Sequence, residues 1–376
     1  MKPKLKKLTI NGYKSFSGNE PLEATFGDIT ILIGANGAGK SNFVSFFKML
    51  NMMTTGALQE YIGKQGGPDS LLHYGTKKTT FLGGKFDFCD ENNKENAYSF
   101  RLAFASPDTL IFTEEKTTWR LPSQSSSEDK YLGVGQKESE LFRYHAQKDY
   151  PLLIMRKILE ECQVYQFHDT TADSFLRRHA SIEKSHYLYS DGGNLAAYLL
   201  RMKSTESCHP YYKRIVQWIK NVFPQFEDFD LRPTSYNPNL TMLNWREKGN
   251  DYPFGPHQIS DGTLRFMALA TLLMQPPEWL PNLLIIDEPE LGLHPAAIGA
   301  LAGMVQIASE HCQVILATQS PRLLDEFSLE DIIVAERDRR NQCSTLKRLS
   351  SEELKDWLED YCLSELWEKN VFGGQP

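Results

Sequence analysis

The chain has 376 residues, 41% hydrophobic and 24% charged, which is ordinary for a globular protein with one large domain or two smaller ones. With 48 acidic against 41 basic residues its formal net charge is −7, which argues against whole-surface attraction to nucleic acid or anionic membrane but leaves room for a local basic patch. Six widely spaced cysteines without a C-x-x-C pair argue against a zinc ribbon or dithiol centre and predict reduced thiols in a cytoplasmic protein.

KPKLKK at the start reads as a solvated end. LTINGYKSF follows it where a signal peptide would carry an apolar run. KLTINGYKSF reads as a strand and a turn. DITILIGANGAGKSNFVSFFKMLNMM reads as a strand, a glycine-rich loop and a helix with Phe43, Phe46, Phe47 and Leu50 on one face. TTFLGGKFDF, AYSFRLAFA and TLIFTEEKTTWRL predict an antiparallel β-lobe with CDENNKEN as a turn, and LPSQSSSEDKYLGVGQKESE an exposed polar loop. YPLLIMRKILEEC, GGNLAAYLLRMK and PYYKRIVQWIKNVF predict helices, followed by a hairpin-like stretch through FDLRPTSYNPNLTMLNWREKGNDYPF. The last third alternates helix and strand (SDGTLRFMALATLLM, NLLIIDE, PAAIGALAGMVQIASEH, QVILATQ, LEDIIVAERD), which implies a mostly parallel sheet covered on both faces. The longest apolar run, FMALATLLM, is too short to span a membrane, and no heptad pattern runs long enough for an extended coiled coil.

Three stretches carry chemistry. Gly34-Ala35-Asn36-Gly37-Ala38-Gly39-Lys40-Ser41 fits the phosphate-binding pattern G-x-x-x-x-G-K-[ST] and lies between a predicted strand and a predicted helix, the context the motif requires. Its glycines let backbone N–H groups converge on phosphate oxygens, Lys40 reaches the β- and γ-phosphates, and Ser41 offers a hydroxyl to Mg²⁺. In IIDEPELGLHP, Asp287 and Glu288 end an apolar strand. Alone they could form an exposed acidic turn. Beside a phosphate loop, Asp287 is expected to hold Mg²⁺ and Glu288 to act as general base toward water. In Ile259-Ser260-Asp261-Gly262-Thr263, Ser260 is either a plain N-cap or part of a second phosphate-binding helix end.

GANGAGKSN, ISDGTLRF, LLIIDEPELGLHP and VILATQSP, in that order, resemble the ATP-binding-cassette ATPases of the RecF, SMC and OLD type, and most of all the stand-alone predicted ATPases of the AAA_21 group. The resemblance covers nearly the whole chain. It implies an α/β fold: a P-loop ABC ATPase head, residues 1–376, with a mixed, mainly parallel core sheet, an antiparallel β-lobe and a helical lobe. Within it fall a phosphate-loop segment (1–60), the β-lobe with its loop (75–150), the helical lobe and hairpin (151–258), and the signature, Walker B and C-terminal core (259–376). It implies ATP and Mg²⁺ as cofactors and a homodimer in which two ATP molecules are sandwiched between heads.

ISDGT resembles the signature motif LSGGQ, so the resemblance has Ser260 and Gly262 contacting the γ-phosphate across the dimer, and Glu290 to His294 forming the loop that crosses the interface. Gly34, Asn36, Gly37, Ala38, Gly39, Lys40, Ser41 and Asn42 would hold nucleotide, with Lys14 and Ser15 of GYKSF as further contacts. Ser41, Asp287 and Gln166 would hold the metal, Gln163 being the alternative to Gln166 as the glutamine that couples the lobes. Glu288, Gln319 and Ser260 would carry the hydrolytic step. Gln319 stands where many relatives carry a switch histidine, which puts proton handling there in doubt. His73, His168 and His257 lack ligand spacing.

Stand-alone relatives often serve bacterial anti-phage defence or DNA repair and act with a separate effector such as a TOPRIM or other nuclease. The expected function is a dimeric ATPase switch controlling such an effector. The alternatives are a DNA-binding maintenance ATPase, with nucleic acid across the dimer, and a nuclease in its own right. Too few residues follow Pro321 to expect a nuclease domain in this chain, and Lys40 and Ser260 stand farther apart than in transporter cassettes. No membrane association is expected.

Overall fold

The computed structural model describes residues 2–120, 126–143, 149–338 and 340–374. Short apolar strands that are buried on both faces build a parallel core. Cys162–Tyr165, Leu283–Asp287, Gln313–Thr318, Ile29–Ile33 and Ile332–Arg337 lie side by side and parallel, and Ser344–Arg348 closes one edge antiparallel. Every residue of Leu283–Asp287 and Gln313–Thr318 is buried, the continuous burial expected of parallel strands covered on both sides. The pleat splits their side chains between two apolar cores. Leu32, Ile285 and Ile315 enter one, while Ile31, Ile33, Leu284 and Leu316 enter the other.

The second large sheet is wholly antiparallel: Leu22–Thr25, Lys4–Asn11, Phe81–Cys89, Glu95–Ala105, Thr109–Arg120 and Glu128–Tyr131. It corrects two expectations. The basic N-terminal run is no solvated end, because from Lys4 onward it is a strand whose Leu5 and Leu8 are fully buried. The polar stretch after Trp119 includes the edge strand Glu128–Tyr131; residues 121–125 of that stretch lie outside the described residues.

Between the two sheets runs the helix Lys40–Thr54, which buries Phe43, Phe46, Phe47 and Leu50 as its spacing predicts. The other core is covered by Leu195–Ser204, His209–Val222, Asp261–Leu273 and Pro295–Ser309. The hairpin-like stretch becomes Phe226–Asp230, Asn244–Glu247 and Pro253–Phe254, a small antiparallel sheet. All six cysteines are free thiols. Among the described residues no helix is long and apolar enough to cross a membrane.

Candidate active site

The carboxyl ends of the parallel strands converge on one place, as in other open α/β sheets. Ile29–Ile33 runs into the glycine-rich loop and then into the helix that starts at Lys40. Gly39 has φ +115°, a backbone that strains any L side chain, and a Cβ there would stand 2.4 Å from the Ser344 hydroxyl. No side chain caps this helix, so its first-turn N–H groups remain to meet an anion. Lys40 is buried and its ammonium donates to the carbonyls of Gly34 and Ala35, the latter at 3.1 Å. Burial pushes its pKa down, opposed by the charges of Glu288, Asp287 and Glu290. Ser41 is exposed at the start of the helix.

Asp287 and Glu288, adjacent in sequence, turn to opposite neighbours. Asp287 is buried at the end of its strand, and its carboxylate accepts from the Gln166 amide, whose oxygen in turn accepts from Lys48. Burial pushes the Asp287 pKa up, against the opposing pull of Gln166, His168 and Lys48. Glu288 has φ +44°, a left-handed backbone rare outside glycine. Its carboxylate accepts from the Gln319 side-chain amide at 2.6 Å. Glu290 reaches the same strand end: one oxygen accepts from the Thr318 hydroxyl at 2.6 Å and the Gln319 main-chain N–H at 3.2 Å. The Asp287 carboxylate and the exposed Ser41 hydroxyl offer oxygen ligands, the kind a hard divalent cation takes. Asp287 and Ser41 are the residues that would hold it; the Gln166 oxygen is turned to Lys48 instead. Gln163 instead donates to the Glu160 carbonyl.

Ser260 caps the helix Asp261–Leu273, its hydroxyl accepting from the Thr263 N–H at 3.2 Å, and it is exposed. Gly262 packs so closely on the loop after Glu290 that a Cβ would lie 2.2 Å from the Gly292 carbonyl oxygen. The buried Arg265 joins the two: its guanidinium donates to the carbonyls of Phe167, His168 and Leu291. Among the described residues the Ser260 hydroxyl meets only Thr263 and makes no bond to the phosphate loop.

Ser15 and Lys14 sit at the margin. The Ser15 hydroxyl meets Asn42 and Ser344, each at 2.8 Å, and braces the start of the loop helix. Lys14 bonds Gln65 at 3.2 Å. His168 contacts the Asp287 carbonyl at 2.9 Å, His73 contacts the Lys14 carbonyl at 2.7 Å, and among the described residues no cluster of three metal-ligating side chains occurs. Sequence reasoning missed Lys48, Arg265 and the place of Glu290. Lys48 could have been suspected from a lysine two turns along a helix otherwise lined with phenylalanines. Nothing in the sequence points to the carbonyl partners of Arg265.

The profile of the family described as "AAA domain, putative AbiEii toxin, Type IV TA system" matches residues 29–325. No curated protein matches the chain. Among solved structures, an SMC head bound to the C-terminal winged-helix domain of ScpA is 14% identical, covers 94% of this chain and 100% of its own, and superposes with a TM-score of 0.59. A Pyrococcus furiosus Smc head with an extended coiled coil, bound to the C-terminal domain of ScpA, is 15% identical over 95% of this chain and 99% of its own, with a TM-score of 0.55. A Pyrococcus yayanosii Smc head with a coiled coil and joint is 12% identical over 95% and 99%, with a TM-score of 0.56. At these identities the likeness is one of fold.

Proposed function

The chain belongs to the AAA_21 family of AAA domains and has the fold of an SMC-type head, and from that premise we propose that it binds and hydrolyses ATP as a dimeric switch that controls a separate effector. The observation that carries this reading is the meeting of an uncapped glycine-loop helix, a buried Lys40, and Asp287 and Glu288 at the carboxyl ends of the core strands. Lys40 and the first-turn N–H groups neutralise and orient the phosphates. Ser41 and Asp287 would hold Mg²⁺, which would supply charge compensation on the transferring phosphoryl group. Glu288 takes the proton of the attacking water, and Gln319 holds that carboxylate in place.

Ser260 is exposed at a helix N-terminus and, among the described residues, makes no hydrogen bond to its own phosphate loop, which supports its use on the nucleotide of a second copy. The family description, with its toxin–antitoxin term, lends support to a role in bacterial anti-phage defence. The ScpA-bound SMC heads support a protein partner docked on the head. The effector would then supply any nuclease activity, and the cytoplasm is the compartment that reduced thiols suit.

The test is Glu288→Gln. It should retain ATP and Mg²⁺ binding while turnover falls by about 10²- to 10⁴-fold, so that ATP persists and light scattering reports a larger species. Adding Ser260→Arg should abolish that shift. Wild-type turnover in the single variant would remove the base assignment, and a persistent shift in the double variant would remove the cross-dimer site.

A further inference from the structure

Among the described residues Glu290 forms no salt bridge, although its charge acts on Lys40. One oxygen is fully used, accepting from the Thr318 hydroxyl at 2.6 Å and from the Gln319 N–H at 3.2 Å. The other is buried and, among the described residues, has no hydrogen-bond partner. Leaving a buried carboxylate oxygen unpaired is costly, and an apolar side chain would avoid that cost. The arrangement makes sense if the first oxygen's contacts matter more than the second oxygen's burial.

Those contacts fix the strand end that carries Gln319. The Gln319 residue is held at two points by two carboxylates: its main-chain N–H by Glu290 and its side-chain amide by Glu288, at 2.6 Å. The Thr318 hydroxyl that Glu290 engages also accepts from the Ser320 N–H at 2.9 Å, so Glu290 organises three consecutive residues. Glu288 itself sits on a left-handed backbone at φ +44° and hydrogen-bonds the Ala317 carbonyl through its N–H at 2.7 Å. The segments 288–290 and 317–320 are thereby laced together, and the lacing ends at the Glu288 carboxylate.

We propose that Glu290 is a positioning residue for hydrolysis: it pins Thr318 and Gln319 so that the Gln319 amide orients the Glu288 carboxylate toward water. It touches neither nucleotide nor the reacting water. The proposal rests on the reading of Glu288 as general base, and it assigns the second glutamate of DEPE a task distinct from that of the first.

Two measurements on the full chain separate the two claims. The first is amide hydrogen exchange without nucleotide. Glu290→Met, which keeps the side chain's length without an acceptor, should speed exchange at Gln319 and Ser320 by about tenfold or more, as expected when a hydrogen bond of ordinary strength is lost. Glu290→Gln, which keeps an acceptor oxygen, should leave it near wild type. The second is ATP turnover. Glu290→Met should lower kcat by roughly ten- to a hundredfold, the range of a charge-assisted hydrogen bond, with nucleotide affinity unchanged. Glu290→Gln should restore most of it. Combined with Gln319→Ala, Glu290→Met should add little further loss, because both act through one amide.

Multiplying effects in the double variant, or a Glu290→Gln variant as slow as Glu290→Met, would overturn the proposal. So would unchanged exchange in Glu290→Met. If Glu290→Met fails to fold, Thr318→Val takes its place, because it removes one of the two contacts without changing side-chain volume, and faster Gln319 exchange is again the expected result. Wild-type turnover in Glu288→Gln would sink the base assignment alone, leaving the exchange result to decide whether Glu290 positions Gln319.

Discussion

At Lys40 burial and charge pull in opposite directions. Desolvation lowers its pKa while Glu288, Asp287 and Glu290 raise it, so its ammonium is held among carboxylates and carbonyls before any phosphate arrives. Lys40→Ala should therefore weaken Mg·ATP binding by about a hundredfold or more, the scale of a desolvated charge-assisted contact; calorimetry giving the wild-type affinity would refute the phosphate-loop assignment. Asp287 carries the opposite burden. Its folded-state pKa is raised, mainly by burial, so its proton is bound more tightly folded than unfolded. The resulting penalty on folding is fully present above the folded pKa and fades as the pH falls through it. Asp287→Asn should melt higher than wild type at pH 8 without divalent cation, and the difference should narrow on acidification; a constant or inverted difference would contradict the burial argument. These residues were legible in the sequence because each stands at a strand end marked by a local motif. Ser15 against Ser344 and Glu290 against Thr318 were not, because such pairs are set by chain segments that meet only in the fold.

Elements were legible where one period ran long. The helices Lys40–Thr54 and Asp261–Leu273 and the strands Leu283–Asp287 and Gln313–Thr318 follow the apolar pattern almost residue for residue. The two edge strands of the core sheet escaped notice. Ser344–Arg348 buries only its first residue, and Cys162–Tyr165 spans four residues directly after a helix. An edge strand has one neighbour and needs little apolar signal. Lys4–Asn11 was legible as a strand only from Lys7 onward, and its sheet was not, since the partner Phe81–Cys89 comes after the phosphate-loop helix. The helix of Ser260 fits tightly against its neighbour. Gly262→Ala should cost about 1–3 kcal/mol of unfolding free energy, as overpacking does, because its Cβ would meet the Gly292 carbonyl. Chemical denaturation measures this. ATP-driven association of Glu288→Gln should also be lost in the same background. Wild-type stability would show that the loop can yield.

Across the whole molecule, the strand that leads into the phosphate loop is flanked by segments made very much later. Ile29–Ile33 pairs with Gln313–Thr318 on one side and Ile332–Arg337 on the other. The Ser344 N–H donates to the Ser15 carbonyl, and the Ala35 N–H to the Gly374 carbonyl, both at 2.8 Å. A chain leaves the ribosome N-terminus first, so during synthesis this strand waits with both edges bare, and bare edges invite wrong partners. A chain stopped at residue 310 carries GANGAGKS and DEPELGLHP intact, yet it lacks both flanking strands. It should be largely insoluble and should not retain ATP on a filter, whereas the full chain should; a soluble, ATP-binding fragment would mean the loop folds without its neighbours. In the cell, a ribosome that stalls late would release a polypeptide with every phosphate-binding letter written and no binding, a substrate for chaperones and proteases and not for nucleotide.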